Sequence, residues 1–89
     1  MDDVYLEVTY RHGKPFAAYL HFPRRAGEKS CRSKRVESGL VIDFNRKGKP
    51  LGVEITAPSV VTLRALNRVL RDLGLPPLKR ADLAPLLAA

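Results

Sequence analysis

Asp43 and Glu54 stand on either side of a glycine-containing turn, each out of phase with the apolar residues around it. On two paired strands that phase puts both carboxylates on one sheet face, where a carboxylate pair can bind a metal ion or move protons. The same placement also balances local Lys and Arg charge, and two acids without a His or a third acid make a poor ligand set. His12 falls in a turn and His21 on the polar side of a strand, and no local pattern supplies a nucleophile or an orienting acid for either. Cys31 lies among Lys29, Arg32, Lys34 and Arg35; neighbouring cations favour a thiolate, but a single cysteine builds neither a disulfide nor a metal framework. There is no phosphate-binding Walker loop, no Gly-x-Gly-x-x-Gly and no metal spacing of Cys and His. The expectation is a chain that is not an enzyme, with no catalytic residue, no cofactor and no metal.

The cations carry a stronger pattern. Arg24, Arg25, Lys29, Arg32, Lys34 and Arg35 follow one another within twelve residues against one acid, Glu28. Arg46, Lys47 and Lys49 crowd a second turn. Arg64, Arg68 and Arg71 recur at i, i+4 and i+7, which on a helix places them within about 60° of one another. A mobile cation cluster beside a fixed cationic row suits phosphate. A solvated helix face and a charged, aggregation-resistant edge are the plainer account of the same residues. The nine cations from Arg24 to Arg35 and from Arg64 to Arg71 are the candidate nucleic-acid-binding residues. Tyr5, Tyr19 and His21 alternate onto the polar strand faces, as a stacking platform for bases or as the cover of a homodimer interface.

Overall charge agrees with an anionic partner. Sixteen Lys and Arg against nine Asp and Glu give a net charge of +7, and the sequence pI is near 10.1; nucleic acid, an acidic protein or a lipid surface each fit. Eighty-nine residues suffice for one domain. The first twenty residues mix charges with alternating apolars, so no signal sequence is expected, and no apolar run is long enough to cross a bilayer. A cytoplasmic chain without membrane association is expected, in keeping with its single cysteine.

The elements that must position these residues follow from periodicity. Val4-Leu6-Val8-Tyr10 and Phe16-Ala18-Leu20-Phe22 alternate with polar or small residues around a turn at Gly13, which predicts a hairpin with Leu6 opposite Leu20, Glu7 opposite Tyr19 and Tyr10 opposite Phe16. Residues 31–37 form a weak, charged strand. Leu40-Ile42-Phe44 and Leu51-Val53-Ile55 flank Asn45-Arg-Lys-Gly48 as a second hairpin. A helix over 58–73 is expected, capped by Thr56 or Ser59, with Leu63, Leu66, Val69, Leu70 and Leu73 as its apolar stripe. Gly74 and Pro76-Pro77 stop it, and a short helix over 80–88 ends the chain. The fold class is α+β: about five antiparallel strands over residues 4–55, one amphipathic helix on the apolar face, and a short terminal helix.

Within that frame, Gly39-Leu-Val-Ile-Asp43-Phe44, Gly48 and Gly52-Val-Glu54-Ile55, with Tyr10 and the Tyr19-Leu20 strand, resemble the bacterial domain-of-unknown-function family numbered 2283. The resemblance covers roughly residues 4–60. The chain departs from the family in its basic first turn, Arg11-His12-Gly13-Lys14, where members usually carry acids, and in the basic helix and tail beyond the usual core. The family has no established activity; its members sometimes lie beside toxin-like genes, and the resemblance therefore implies an antitoxin-like role. Two functions stand side by side: a non-enzymatic module with weak affinity for nucleic-acid phosphate, and an antitoxin-like module that covers an acidic protein partner. A homodimer is expected for either.

Overall fold

The computed structural model describes residues 4–87. The period-two segments form β1 (Tyr5–Arg11), β2 (Lys14–His21), β3 (Arg32–Glu37), β4 (Leu40–Phe44) and β5 (Pro50–Ile55). They pair antiparallel throughout into one sheet of order β1-β2-β5-β4-β3. The second hairpin therefore docks β5 against β2 and leaves β1 and β3 as the two edges. To reach β3 from β2 the chain must pass the ends of β5 and β4, so the basic loop runs along one end of the sheet.

One sheet face is apolar because the strands are in register. Leu20 and Ile42 both face Val53, and Ala18 and Leu40 both face Ile55. These residues are buried, together with Phe22 and Leu51. Over them lies α1 (Leu63–Asp72), which buries Leu66, Val69 and Leu70. Each such side chain contributes about 1.5–3 kcal/mol when taken from water. Leu6, Val8, Phe44, Leu63 and Leu73 pack at the margin, partly buried. A 3-10 turn (Arg80–Leu83) and α2 (Ala84–Leu87) close the core with Leu83 and Leu86. Residue 88 of the expected terminal helix lies outside the described residues.

Two local expectations are corrected. Tyr10 faces Pro15 rather than Phe16, while Leu6 faces Leu20 and Glu7 faces Tyr19 as expected. His12 and Gly13 both take positive φ, 53° and 76°, which makes a two-residue turn of the twist-matched hairpin kind. That turn sets a register one residue away from the one the apolar face requires. The shift between Thr9 and Tyr10 absorbs the difference, leaving Phe16 as the extra residue of a bulge.

The second correction concerns the helix, which does not begin at 58. Pro58–Val60 is a 3-10 turn, Val61 and Thr62 are extended, and Thr62 Oγ1 accepts the Ala65 N–H at 3.0 Å. Val60, Val61 and Thr62 are three β-branched residues in a row, a run that disfavours helix and makes Thr62 the better cap. The C-terminal end is as expected: Gly74 at φ 77° follows the helix, with Gly74 N–H bonded to Arg71 O and Leu75 N–H to Leu70 O. Asn67 then donates to Leu78 O and accepts from Leu78 N–H, tying the Leu75–Leu78 segment back onto the helix. Among the described residues, no helix is long and apolar enough to cross a membrane.

Candidate nucleic-acid interface

The loop along the sheet end is held by one carboxylate. Glu28 accepts from the Arg25 N–H (2.7 Å), from Asn45 Nδ2 (2.8 Å) and from Lys49 Nζ (3.0 Å). Asn45 Oδ1 in turn accepts the N–H groups of Lys47 and Lys49, both at 2.9 Å. The loop and the β4–β5 turn thus share a hydrogen-bonded hub. The Arg25 N–H, then Lys49 and Asn45, hold the Glu28 carboxyl down at about 2, well below its ordinary 4.5. Around the hub lies a shallow cavity of about 620 Å³ bordered by the cations Arg25, Lys29, Arg46 and Lys47. Glu28, which also borders it, is already paired with Lys49, so the surrounding field is positive.

The nine candidate cations divide into three groups. Arg25 and Lys29 border this cradle, and Arg24 turns back toward the sheet, its Nη2 3.4 Å from Leu51 O. Arg32, Lys34 and Arg35 are on a strand, not in a mobile loop. Register puts Lys34 opposite Ile42 on the helix-bearing face and Arg35 opposite Val41 on the other. The six-cation cluster therefore splits, because strand alternation sends neighbours to opposite sides. Arg32 sits with its guanidinium 5.2 Å from the Phe44 ring centre, near the β4–β5 turn. Arg64, Arg68 and Arg71 line a separate groove with Asn67, Leu75 and Pro77. In it Arg68 is paired with Glu37 at 3.1 Å and Arg71 lies 3.6 Å from Asp72.

The face opposite α1 carries a second network. Tyr19 Oη donates to Asp43 Oδ2 at 2.8 Å, and Ser33 Oγ donates to Asp43 Oδ1 at 2.6 Å. His21 Nε2 donates to Glu7 Oε1 at 2.8 Å. The Tyr5 ring stacks on His21 with centroids 4.4 Å apart and planes 10° apart, and Tyr19 meets the same imidazole at 4.6 Å. Burial first, then the Asp43 carboxylate, pushes the Tyr19 phenol up to about 12, against the opposing influence of Arg24. Asp43 and Glu54 do share this face, since Asp43 faces Gly52 and Glu54 faces Val41. Asp43 is engaged by two hydroxyls rather than paired with Glu54. Among the described residues no group of three His, Cys, Asp or Glu side chains could hold a metal ion, and Cys31 is exposed and free.

Sequence reasoning did not single out the Glu28–Asn45–Lys49 hub. Its members are 17 and 21 residues apart, and the only local signal was an acid isolated within a basic loop. Comparison with protein-family models, curated proteins and solved structures found no match.

Proposed function

We propose that this chain is a non-enzymatic binding module that takes nucleic acid through its phosphates. One observation carries the reading: the Glu28 hub gathers Arg25 and Lys29 of the loop beside Arg46 and Lys47 of the hairpin turn, around one concavity. The hub fixes the backbone that carries these cations, so less chain has to be ordered on meeting a polyanion than if they stood on independent segments. The anion is a backbone rather than a specific base sequence, because the cradle presents Lys and Arg heads suited to phosphate oxygens and has no rigid helix to enter a groove.

Anisotropy titration of a short labelled duplex at several salt concentrations tests this. Four phosphate contacts imply a slope of log K against log[salt] of roughly −3.6, from about −0.9 per contact. Lys29→Ala with Lys47→Ala should weaken binding and flatten that slope by up to about 2. Arg68→Ala should change it by less than about 1, since Glu37 already occupies that guanidinium. Absence of binding by folded protein to duplex and to single strand at about 50 mM salt, where phosphate contacts are strong, would falsify the reading.

A second reading rests on β3. It is an edge strand bearing Arg32, Lys34 and Arg35, and an extended acidic segment could add to it as a further strand. The resemblance to the family numbered 2283 favours that antitoxin-like role. Competition separates the two: bulk DNA displaces a nucleic-acid ligand but not a specific protein partner.

A further inference from the structure

The row of open-face residues next to the basic end consists of Tyr5 on β1, His21 on β2, Gly52 on β5, Asp43 on β4 and Ser33 on β3, each facing its neighbour in register. Gly52 has no side chain, and the Tyr19 ring fills the gap above it, as the clash of any Cβ there with that ring shows. Three rings, Tyr5, His21 and Tyr19, therefore lie in sequence along the sheet margin. They are fixed from both sides: Glu7 holds His21, and Asp43 holds Tyr19. Tyr5, at the outer end, has one ring face stacked on His21 and is still 59% exposed as a residue, so it keeps surface for a further flat partner.

The row adjoins the basic loop. Phe22 follows His21 directly and its N–H bonds Leu51 O, to which Arg24 also reaches. Arg24 lies close enough to the Tyr19 hydroxyl to act on its ionisation. From β1 to β4 the row spans three interstrand steps of about 4.8 Å, roughly 14 Å, a distance a few nucleotides cover. A paired base cannot present its flat face to Tyr5 while stacked inside a duplex, whereas an unpaired base can. The rest of the face does not suit a second copy of the chain. It carries Glu7, Glu54, Asp43 and Arg35; burying those charges between protomers is costly, and their net negative charge keeps phosphates on the cradle and leaves only an uncharged base to meet the rings.

We infer that the ligand is single-stranded nucleic acid, with backbone phosphates on the Arg25–Lys29–Arg46–Lys47 cradle and an unpaired base stacked on Tyr5. This rests on the phosphate-binding reading and adds to it the strandedness of the ligand. The test is anisotropy with a labelled single-stranded oligonucleotide and the matching duplex at one low salt concentration, using wild type, Tyr5→Ala and Tyr5→Phe. Wild type should prefer the single strand. Tyr5→Ala should lower single-strand affinity about 5- to 150-fold and leave duplex affinity unchanged, while Tyr5→Phe should retain single-strand binding. Single-strand binding that does not depend on Tyr5 would overturn the stacking site and leave the phosphate reading standing. Equal losses for both ligands would also overturn it. No binding of either ligand by wild type removes both readings. A wild-type dimer in sedimentation that Tyr5→Ala dissociates would show the row to be covered by a second copy, and would overturn the inference as well.

Discussion

Tyr19 reaches Asp43 across a strand that has no side chain to stop it: the hydroxyl donates to Oδ2 at 2.8 Å, and the ring lies over Gly52 of the intervening β5. An aromatic ring laid over a strand glycine restores packing that the glycine alone would lose. Gly52→Ala should therefore be destabilising, because its methyl would meet the ring and would lie 2.7 Å from the Leu20 carbonyl oxygen. Overpacking of this kind costs about 1–3 kcal/mol. A double-mutant cycle with Tyr19→Ala should show partial recovery, the part due to Leu20 remaining. Urea denaturation reads both, and a neutral Gly52→Ala would mean that the ring does not lie there.

The same contact sets the ionisation of Tyr19. A phenol pushed up to about 12 binds its proton more tightly folded than unfolded. Its stabilising contribution is complete below the ordinary value of 10 and is lost as pH rises through about 12. Following tyrosinate absorbance with pH, Tyr19 should ionise near 12. Burial is the main cause and Asp43 the next, so Asp43→Asn should lower that value partway and Ser33→Ala should leave it nearly unchanged.

The core is tested at α1. Leu66 and Leu70 are almost fully buried, at 0% and 1% exposure, while Leu73 of the same stripe is only partly buried. Leu66→Ala and Leu70→Ala should each cost about 2–5 kcal/mol, and Leu73→Ala measurably less. Chemical denaturation of the three variants checks the order. Equal and small losses at all three would place the helix elsewhere than on the sheet.

What could be read in advance follows the periodicity. Leu6 opposite Leu20 and the Leu40–Ile55 hairpin were legible because an apolar phase of two fixes both strand and register. Arg32 to Arg35 have no apolar phase, so strand alternation there left no mark and the cations read as one cluster. The start of α1 depended on a competition between Thr56, Ser59 and Thr62 as caps, which the β-branched run at Val60–Thr62 decided. The Tyr19–Asp43 bond spans 24 residues and crosses one strand, β5, so it became visible only once β5 was known to lie beside β2.

Glu28 offers the sharpest test of the cradle. Its folded value near 2 lies below the ordinary 4.5, so its contribution is complete above about 4.5 and is lost as pH falls through 2. Carboxyl chemical shifts followed with pH should show Glu28 titrating near 2. Removing it by Glu28→Ala raises the positive charge by one. If binding depended on charge alone, the variant would bind a polyanion more tightly and with a steeper salt slope. An organised cradle predicts the reverse. Without its hub the loop carrying Arg25 and Lys29 separates from the turn carrying Arg46 and Lys47, the number of simultaneous phosphate contacts falls, and the slope flattens by about 1–2. Glu28→Gln should lie between wild type and Glu28→Ala, since its one amide oxygen can still accept the Arg25 N–H, while its amide nitrogen cannot accept from Asn45 Nδ2 and the ion pair with Lys49 is lost. Tighter binding by Glu28→Ala would show that the four cations act as diffuse surface charge and not as a site.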